Sequence, residues 1–324
     1  MIEVRDLCKS YGPTKAVDHV SFNVEKGEVV GFLGPNGAGK TTTMRILTCF
    51  LSPDSGTAKV GGYDVVKQPL QVRRTIGYLP EGAPSYHEMG VVDYLKFIGD
   101  MHEMDKSKRD ARFREMIDVC GLKPVIHKDV GELSKGFRQR LGLAAAIIHD
   151  PDILILDEPT SGLDPKQNRD IRELIKNIGS EKCVILSTHI LSEVEVTCDR
   201  AIIIDNGRIT AQGTVEELGR LARGADTYYV TFKGDRNRIR EHLSKFGKIE
   251  KFEERGANGG YSFALMSRSK EDISESIFDL AVAGGFKLTE LRHEEARLEE
   301  AFLQLTRADT PISGKDLGGG EANE

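Results

Sequence analysis

The sequence predicts an α/β fold, a covered parallel sheet flanked by helices, followed by a small α+β unit. Three observations carry this. The short runs Val29-Val30-Gly31-Phe32-Leu33, Ile153-Leu154-Ile155-Leu156 and Val184-Ile185-Leu186 lack polar side chains and are bounded by polar residues, as suits strands buried on both faces. A stretch of helical periodicity, from about Met89 to Ile148, lies between the first run and the others. Past Gly224, short alternating and helical patterns follow one another instead.

Taken in order, Ala16 to Val24 leads to the turn Glu25-Lys26-Gly27-Glu28, and Val29 to Leu33 reads as a buried strand. The loop Gly34-Pro35-Asn36-Gly37-Ala38-Gly39-Lys40-Thr41 follows at once, and Thr41 to Leu47 starts a helix. Tyr94, Leu95, Ile98 and Met101 are expected on one helical face. The alternation of strands and helices places the end of this α/β domain near Gly213 to Leu221. Beyond it, Tyr228 to Phe232 reads as a strand, and Arg236 to Phe246 as a helix with Ile239, Leu243 and Phe246 on one face. Ile249 to Glu253 and Tyr261 to Leu265 form a hairpin around Gly256 and Gly259-Gly260. Ser269, with Asp272 three residues on, opens a helix whose apolar face is Ile273, Ile277 and Leu280. Leu288 to Leu291 is a strand and Leu298 to Leu305 a last amphipathic helix. The order β-α-β-β-α-β matches a small ferredoxin-like domain over residues 224–306. The glycine-rich, charged residues 307–324 are expected to be disordered.

The chain has 324 residues and a net charge of -6, which gives no electrostatic reason for a nucleic-acid partner. Mean hydropathy is -0.34, and no apolar run approaches the ~18 residues that span a bilayer. The charged N-terminal stretch does not read as an export signal. Cys8, Cys49, Cys120, Cys183 and Cys198 are scattered and form no CxxC pair, which suits a reducing compartment and argues against disulfides or a zinc site.

A strand, then GxxxxGKT, then a helix, is the setting in which a glycine loop cradles phosphate. Its glycines let successive N–H groups converge, and the helix N-terminus favours anionic oxygens. Lys40 can reach the β- and γ-phosphates of a nucleotide, and Thr41 can offer its hydroxyl to Mg²⁺. A glycine turn with a capping threonine would explain the loop alone, but not both flanking elements. The second feature is the apolar run ending in Asp157-Glu158-Pro159, which delivers two carboxylates to the carboxyl end of a strand. Asp157 is placed to hold Mg²⁺, usually through water, and Glu158 to polarise the water that attacks the γ-phosphate. Two carboxylates added to a phosphate cradle favour hydrolysis over binding alone.

At this point the chain resembles the nucleotide-binding subunits of ABC transporters, from about Met1 to Gly213. Leu133-Ser134-Lys135-Gly136-Phe137 looks like the ABC signature, Ser161-Gly162-Leu163-Asp164 resembles the D-loop, and Ser187-Thr188-His189 ends a strand as the switch histidine does. Tyr11 matches the aromatic residue that stacks on adenine. The resemblance implies a P-loop NTPase domain of the ABC type over residues 1–221, with a helical subdomain at about 83–150. It also implies contacts to ATP from Tyr11, Gly34, Pro35, Asn36, Gly37, Ala38, Gly39, Lys40, Thr41 and Thr42. Two subunits would meet head-to-tail, Ser134 and the Gly136 N–H of one completing the γ-phosphate site of the other. His189 would hold the γ-phosphate and the attacking water, and loss of that phosphate would open the interface.

Two departures stand out. Lys135 replaces the usual second glycine of the signature, and either adds a cation near the shared phosphates or is a solvated lysine at a helix start. Glu81, in Leu79-Pro80-Glu81-Gly82, stands where the family usually has the glutamine that joins the Mg²⁺ site to the surface touching the membrane subunit. LPEGAPSY and LSKGFRQR are similar to a subset of ABC-2 type exporter ATPases, among them those of gliding motility. In that subset the acidic residue is unremarkable, so Glu81 joins Thr41 and Asp157 as an expected Mg²⁺ ligand. The resemblance also implies a separate membrane permease as partner, and a place in the cytoplasm against the inner face of the membrane. The expected second subunit is an identical chain, a related chain being the alternative. ABC ATPases of translation or DNA repair usually carry tandem domains or a coiled-coil insertion, which this sequence lacks. Other P-loop enzymes, such as kinases, lack the signature.

Overall fold

Val29–Leu33 and Ile153–Asp157 are buried at every residue. They form part of a six-stranded sheet in the computed structural model, which describes residues 1–82, 86–222, 227–255, 260–267 and 272–294. The chain divides into two compact units, Met1–Val215 and Glu216–Ala308. The first begins with β1 (Ile2–Tyr11), β2 (Thr14–Val24), β3 (Val29–Leu33), α1 (Lys40–Leu47), β4 (Ser55–Val60) and β5 (Tyr63–Asp64). Next come α2 (Pro69–Thr75), β6 (Ile76–Leu79), α3 (Val91–Met101), α4 (Lys106–Val119) and α5 (Lys135–Ile147). It closes with β7 (Ile153–Asp157), α6 (Pro165–Gly179), β8 (Cys183–Thr188), α7 (Leu191–Thr197), β9 (Arg200–Asp205) and β10 (Arg208–Thr214). Helix α8 (Val215–Ala222) follows.

The large sheet has the order β10-β9-β3-β8-β7-β6, parallel except for the edge strand β10. Its interior strands are covered on both faces, so their apolar side chains need no alternation. The register sets Leu33 opposite Thr188, and Asp157 opposite Ser187. Three segments distant in sequence therefore end side by side at the carboxyl edge. Helix α3 buries Tyr94 and Leu95, but Met101, expected on the same face, is 67% exposed. It is the last residue of the helix, with no further turn to carry it against the core.

The opening third reads as strands, but their pairing as a separate sheet and the hairpin β9–β10 were not anticipated. A second, antiparallel sheet, β2-β1-β4-β5, pairs Ile2 with both Val24 and Val60. β1 exposes nearly every second residue, so its sequence carries little apolar signal. The hairpin β9–β10 turns at Asn206-Gly207, both at positive φ (46° and 78°). An Asn-Gly pair after the buried run Ala201–Ile204 is a readable hairpin signal.

The second unit contains β11 (Thr227–Lys233), α9 (Arg236–Lys245), β12 (Ile249–Arg255), β13 (Tyr261–Ser267), α10 (Ser274–Gly284) and β14 (Lys287–Glu294). Its sheet runs β12-β13-β11-β14 with antiparallel pairs. Tyr228, Val230 and Phe232 pack inward with Ile239, Leu243, Phe263, Leu265 and Ile277. The helix expected from Ser269 starts instead at Ser274, where Asp272 Oδ1 accepts the Ser274 N–H at 2.8 Å. The helix expected at Leu298 to Leu305 and the expected tail lie outside the described residues.

Candidate active site

The loop between β3 and α1 turns at Gly37 and Gly39, with φ of 83° and 106°. At Gly39 a Cβ would lie 2.2 Å from the Ala16 carbonyl oxygen, so a side chain is excluded by space as well as by backbone conformation. Ala16, Asn36, Gly37, Gly39, Lys40, Thr41, Thr42, Glu81, Glu158, Ser161 and His189 line one cavity of about 360 Å³. Gly34, Pro35 and Ala38, expected at the same site, do not line it. Lys40, 6% exposed, donates from Nζ to the Gly34 carbonyl (2.8 Å) and the Pro35 carbonyl (3.1 Å), and stands 3.5 Å from Glu158 Oε1. Ala38 is buried.

Asp157 is the last residue of β7 and fully buried. Thr41 Oγ1 donates to its Oδ1 at 3.3 Å, while Asp157 Oδ2 is buried without a hydrogen-bond partner. Asp157 does not itself line the cavity, but its unpartnered buried oxygen beside the Thr41 hydroxyl, with Glu81 on the cavity that Thr41 lines, is a hard-oxygen donor set of the kind Mg²⁺ prefers. Glu158 follows at φ 49°, a left-handed conformation that L-residues adopt at a cost. His189, immediately after β8, sets Nδ1 3.0 Å from Glu158 Oε2. Cation, carboxylate and imidazole thus converge on one face of the cradle. This geometry can bind polyphosphate at Lys40 and the loop N–H groups, and can polarise a water at Glu158.

Not every expected residue comes to this cavity. Tyr11 ends β1 at 50% exposure and does not line it. Ser134 caps α5, its Oγ accepting the Phe137 N–H at 3.4 Å, and neither it nor Gly136 lines the cavity. Gly136 is buried where a Cβ would meet Gln167 Oε1 at 2.4 Å, so the signature packs on the start of α6. Lys135 lies exposed, its ammonium against Gly162 of the turn before α6. Two residues at the site escaped the sequence reading as participants. Ser187 bonds to both acid residues, and Glu193 Oε2 accepts the Thr188 hydroxyl at 2.8 Å. Their signal was position: one lies inside the strand and the other in the first turn of α7.

A second cavity of about 360 Å³ is lined by Tyr78, Leu79, Pro80, Tyr94, Ile98, His102 and His149 among others. Burial pushes His149 down to about 4, so its imidazole is neutral near pH 7, and Arg73 is the charged side chain in this largely apolar lining. Leu79 and Pro80 face this cavity while the next residue, Glu81, faces the first.

The family model for ABC transporters matches residues 17–161. A model for an AAA domain, described as a putative AbiEii toxin of a type IV toxin–antitoxin system, matches residues 129–195. An uncharacterized ABC transporter ATP-binding protein of Bacillus subtilis, YxlF, is 42% identical over 95% of this chain and 100% of its own length. The daunorubicin resistance ATP-binding protein DrrA3 of Streptomyces coeruleorubidus is 34% identical over 94% of this chain and 95% of its own. A solved ATP-binding subunit of an ABC transporter aligns with TM-score 0.63 at 30% identity, covering 68% of this chain and 92% of that one. With a phosphate cradle, a buried acid pair and likeness extending over nearly its whole length, the chain belongs to the ABC transporter family, as an ATP-binding and ATP-hydrolysing subunit.

Proposed function

We propose that this subunit drives a separate ABC-2 type export permease, two identical chains closing head-to-tail over ATP. The carrying observation is the incomplete site: Lys40, Glu158 and His189 share one cavity, while Ser134 and Gly136 lie elsewhere in the same chain. Two such chains, placed head-to-tail, would each supply what the other lacks. Lys40 and the loop N–H groups hold the phosphates, Tyr11 stacks on adenine, and Glu158 takes the proton of the attacking water while His189 holds it in line. Mg²⁺, held by Thr41, Asp157 and Glu81, would neutralise charge developing on the β- and γ-oxygens. Export is supported by the drug-resistance relative, and the permease would keep the subunit at the cytoplasmic face of the membrane. No described helix is long and apolar enough to cross one.

Glu81 carries the coupling in this reading, because it touches the nucleotide cavity while Leu79 and Pro80 line the largely apolar groove suited to a permease helix. Glu81→Gln keeps a ligand oxygen and is expected to leave basal hydrolysis within about tenfold, roughly 1.4 kcal/mol of barrier. Glu81→Ala removes it and should damage stimulation by the reconstituted permease more than basal turnover. A thousandfold basal loss in Glu81→Gln, around 4 kcal/mol, would make Glu81 essential to the chemistry and reopen the assignment of the base to Glu158.

We assign the nucleotide machinery to residues 1–221, and to residues 224–306 a ferredoxin-like fold with an influence on dimer lifetime or transport. The strand order β12-β13-β11-β14 supports that fold. A chain ending at Leu221 should bind ATP with unchanged affinity in calorimetry. A truncated protein with normal circular dichroism and no ATP binding would contradict the boundary.

A further inference from the structure

The parallel register of β7 and β8 places Ser187 directly opposite Asp157. Ser187 is fully buried, and its hydroxyl has two partners. Oγ donates to Asp157 Oδ1 at 2.6 Å and accepts the Glu158 N–H at 2.9 Å. One side chain on β8 therefore holds the carboxylate that ends β7 and the backbone of the residue that follows it.

Both bonds bear on chemistry. The short bond to Oδ1 fixes the rotation of the Asp157 carboxylate and leaves Oδ2 as the oxygen with no protein partner. The bond from the Glu158 N–H secures a residue at φ 49°, a region L-residues otherwise avoid. Glu158 in turn reaches Lys40 and His189, so its backbone geometry sets where the carboxylate stands in the cavity. An alanine at 187 would be sterically acceptable in a buried strand. It would leave the Glu158 N–H without its acceptor and Asp157 Oδ1 with only the longer Thr41 bond.

We infer that Ser187 is a positioning residue for hydrolysis, aligning Asp157 for the metal and Glu158 for the attacking water through one hydroxyl. The inference rests on the roles proposed above for Asp157 and Glu158. It separates turnover from nucleotide affinity, since Ser187 does not itself line the cavity and its hydroxyl bonds to Asp157 and Glu158 rather than to the phosphate loop.

The test uses the full chain with Ser187→Ala, Ser187→Thr and Glu158→Gln. It measures steady-state ATP hydrolysis, Mn²⁺ binding to the ADP-bound protein by electron paramagnetic resonance, and thermal melting. Ser187→Ala should lose about thirtyfold in kcat with KM for ATP within about threefold, and bind Mn²⁺ about tenfold more weakly, in the range seen when a group orienting a metal ligand is removed. Ser187→Thr, which keeps the hydroxyl, should recover most of the rate. If Ser187→Ala does not fold, Ser187→Cys fills the same space with a weak donor and should show the same loss of kcat. Turnover within about twofold of wild type in folded Ser187→Ala or Ser187→Cys, with Glu158→Gln inactive, overturns the role of Ser187 alone. Full activity in Glu158→Gln overturns the site reading beneath it. Equal loss in the threonine and alanine variants, accompanied by lowered melting, shows a role in packing only and overturns the proposal.

Discussion

Glu158→Gln lowers ATP turnover by about a thousandfold, near 4 kcal/mol of barrier, and leaves ATP binding intact. The amide preserves the shape and the acceptor facing His189 Nδ1 at 3.0 Å, but it cannot take a proton from water. It also removes the negative charge 3.5 Å from Lys40 Nζ, which favours phosphate at that ammonium rather than opposing it. Bound ATP is then held unhydrolysed, and light scattering with Mg-ATP should report a dimer where wild type gives a mixture or monomer. If both proteins stay monomeric at high protein and ATP concentrations, the shared site does not form in the isolated subunit, and a dimer held by the permease is the fallback.

Lys40→Ala acts one step earlier, on binding. A charge-assisted hydrogen bond to phosphate is lost, and affinity for ATP should fall about a hundredfold, roughly 2.7 kcal/mol, with hydrolysis undetectable. The buried Glu158 carboxylate loses its neighbouring cation as well, so melting should move down. Lys40→Met keeps the aliphatic stem and separates that packing contribution from the charge. Calorimetry decides: affinity within about threefold of wild type in both variants would place the phosphates away from this loop.

The cradle was legible because its requirements are local. Gly37 and Gly39 must take positive φ, Lys40 must begin a helix, and the preceding strand must be apolar, all within about a dozen residues. The acid pair was legible for a similar reason, since an apolar strand ending in two carboxylates is a short pattern. Assigning Ser134, Gly136 and Tyr11 needed the family resemblance, because a serine capping a helix, a buried glycine and an exposed strand-end tyrosine have ordinary structural explanations in isolation.

Ser187 shows where local reading stops. In sequence it is one small polar residue at the end of an apolar run, thirty positions from Asp157. Its partners exist only because β8 lies beside β7 in parallel. The same holds for β1, whose pairing with β4 joins Ile2 to Val60 although little in its half-exposed sequence points there. Local composition settled the phosphate loop, the acid strand and the alternation of elements, because backbone preference and hydrophobic period act over a few residues. Strand order, the burial of Asp157 against Ser187, and the separation of the signature from the cavity were decided by tertiary packing. These depend on burying apolar surface between segments that no local pattern brings together.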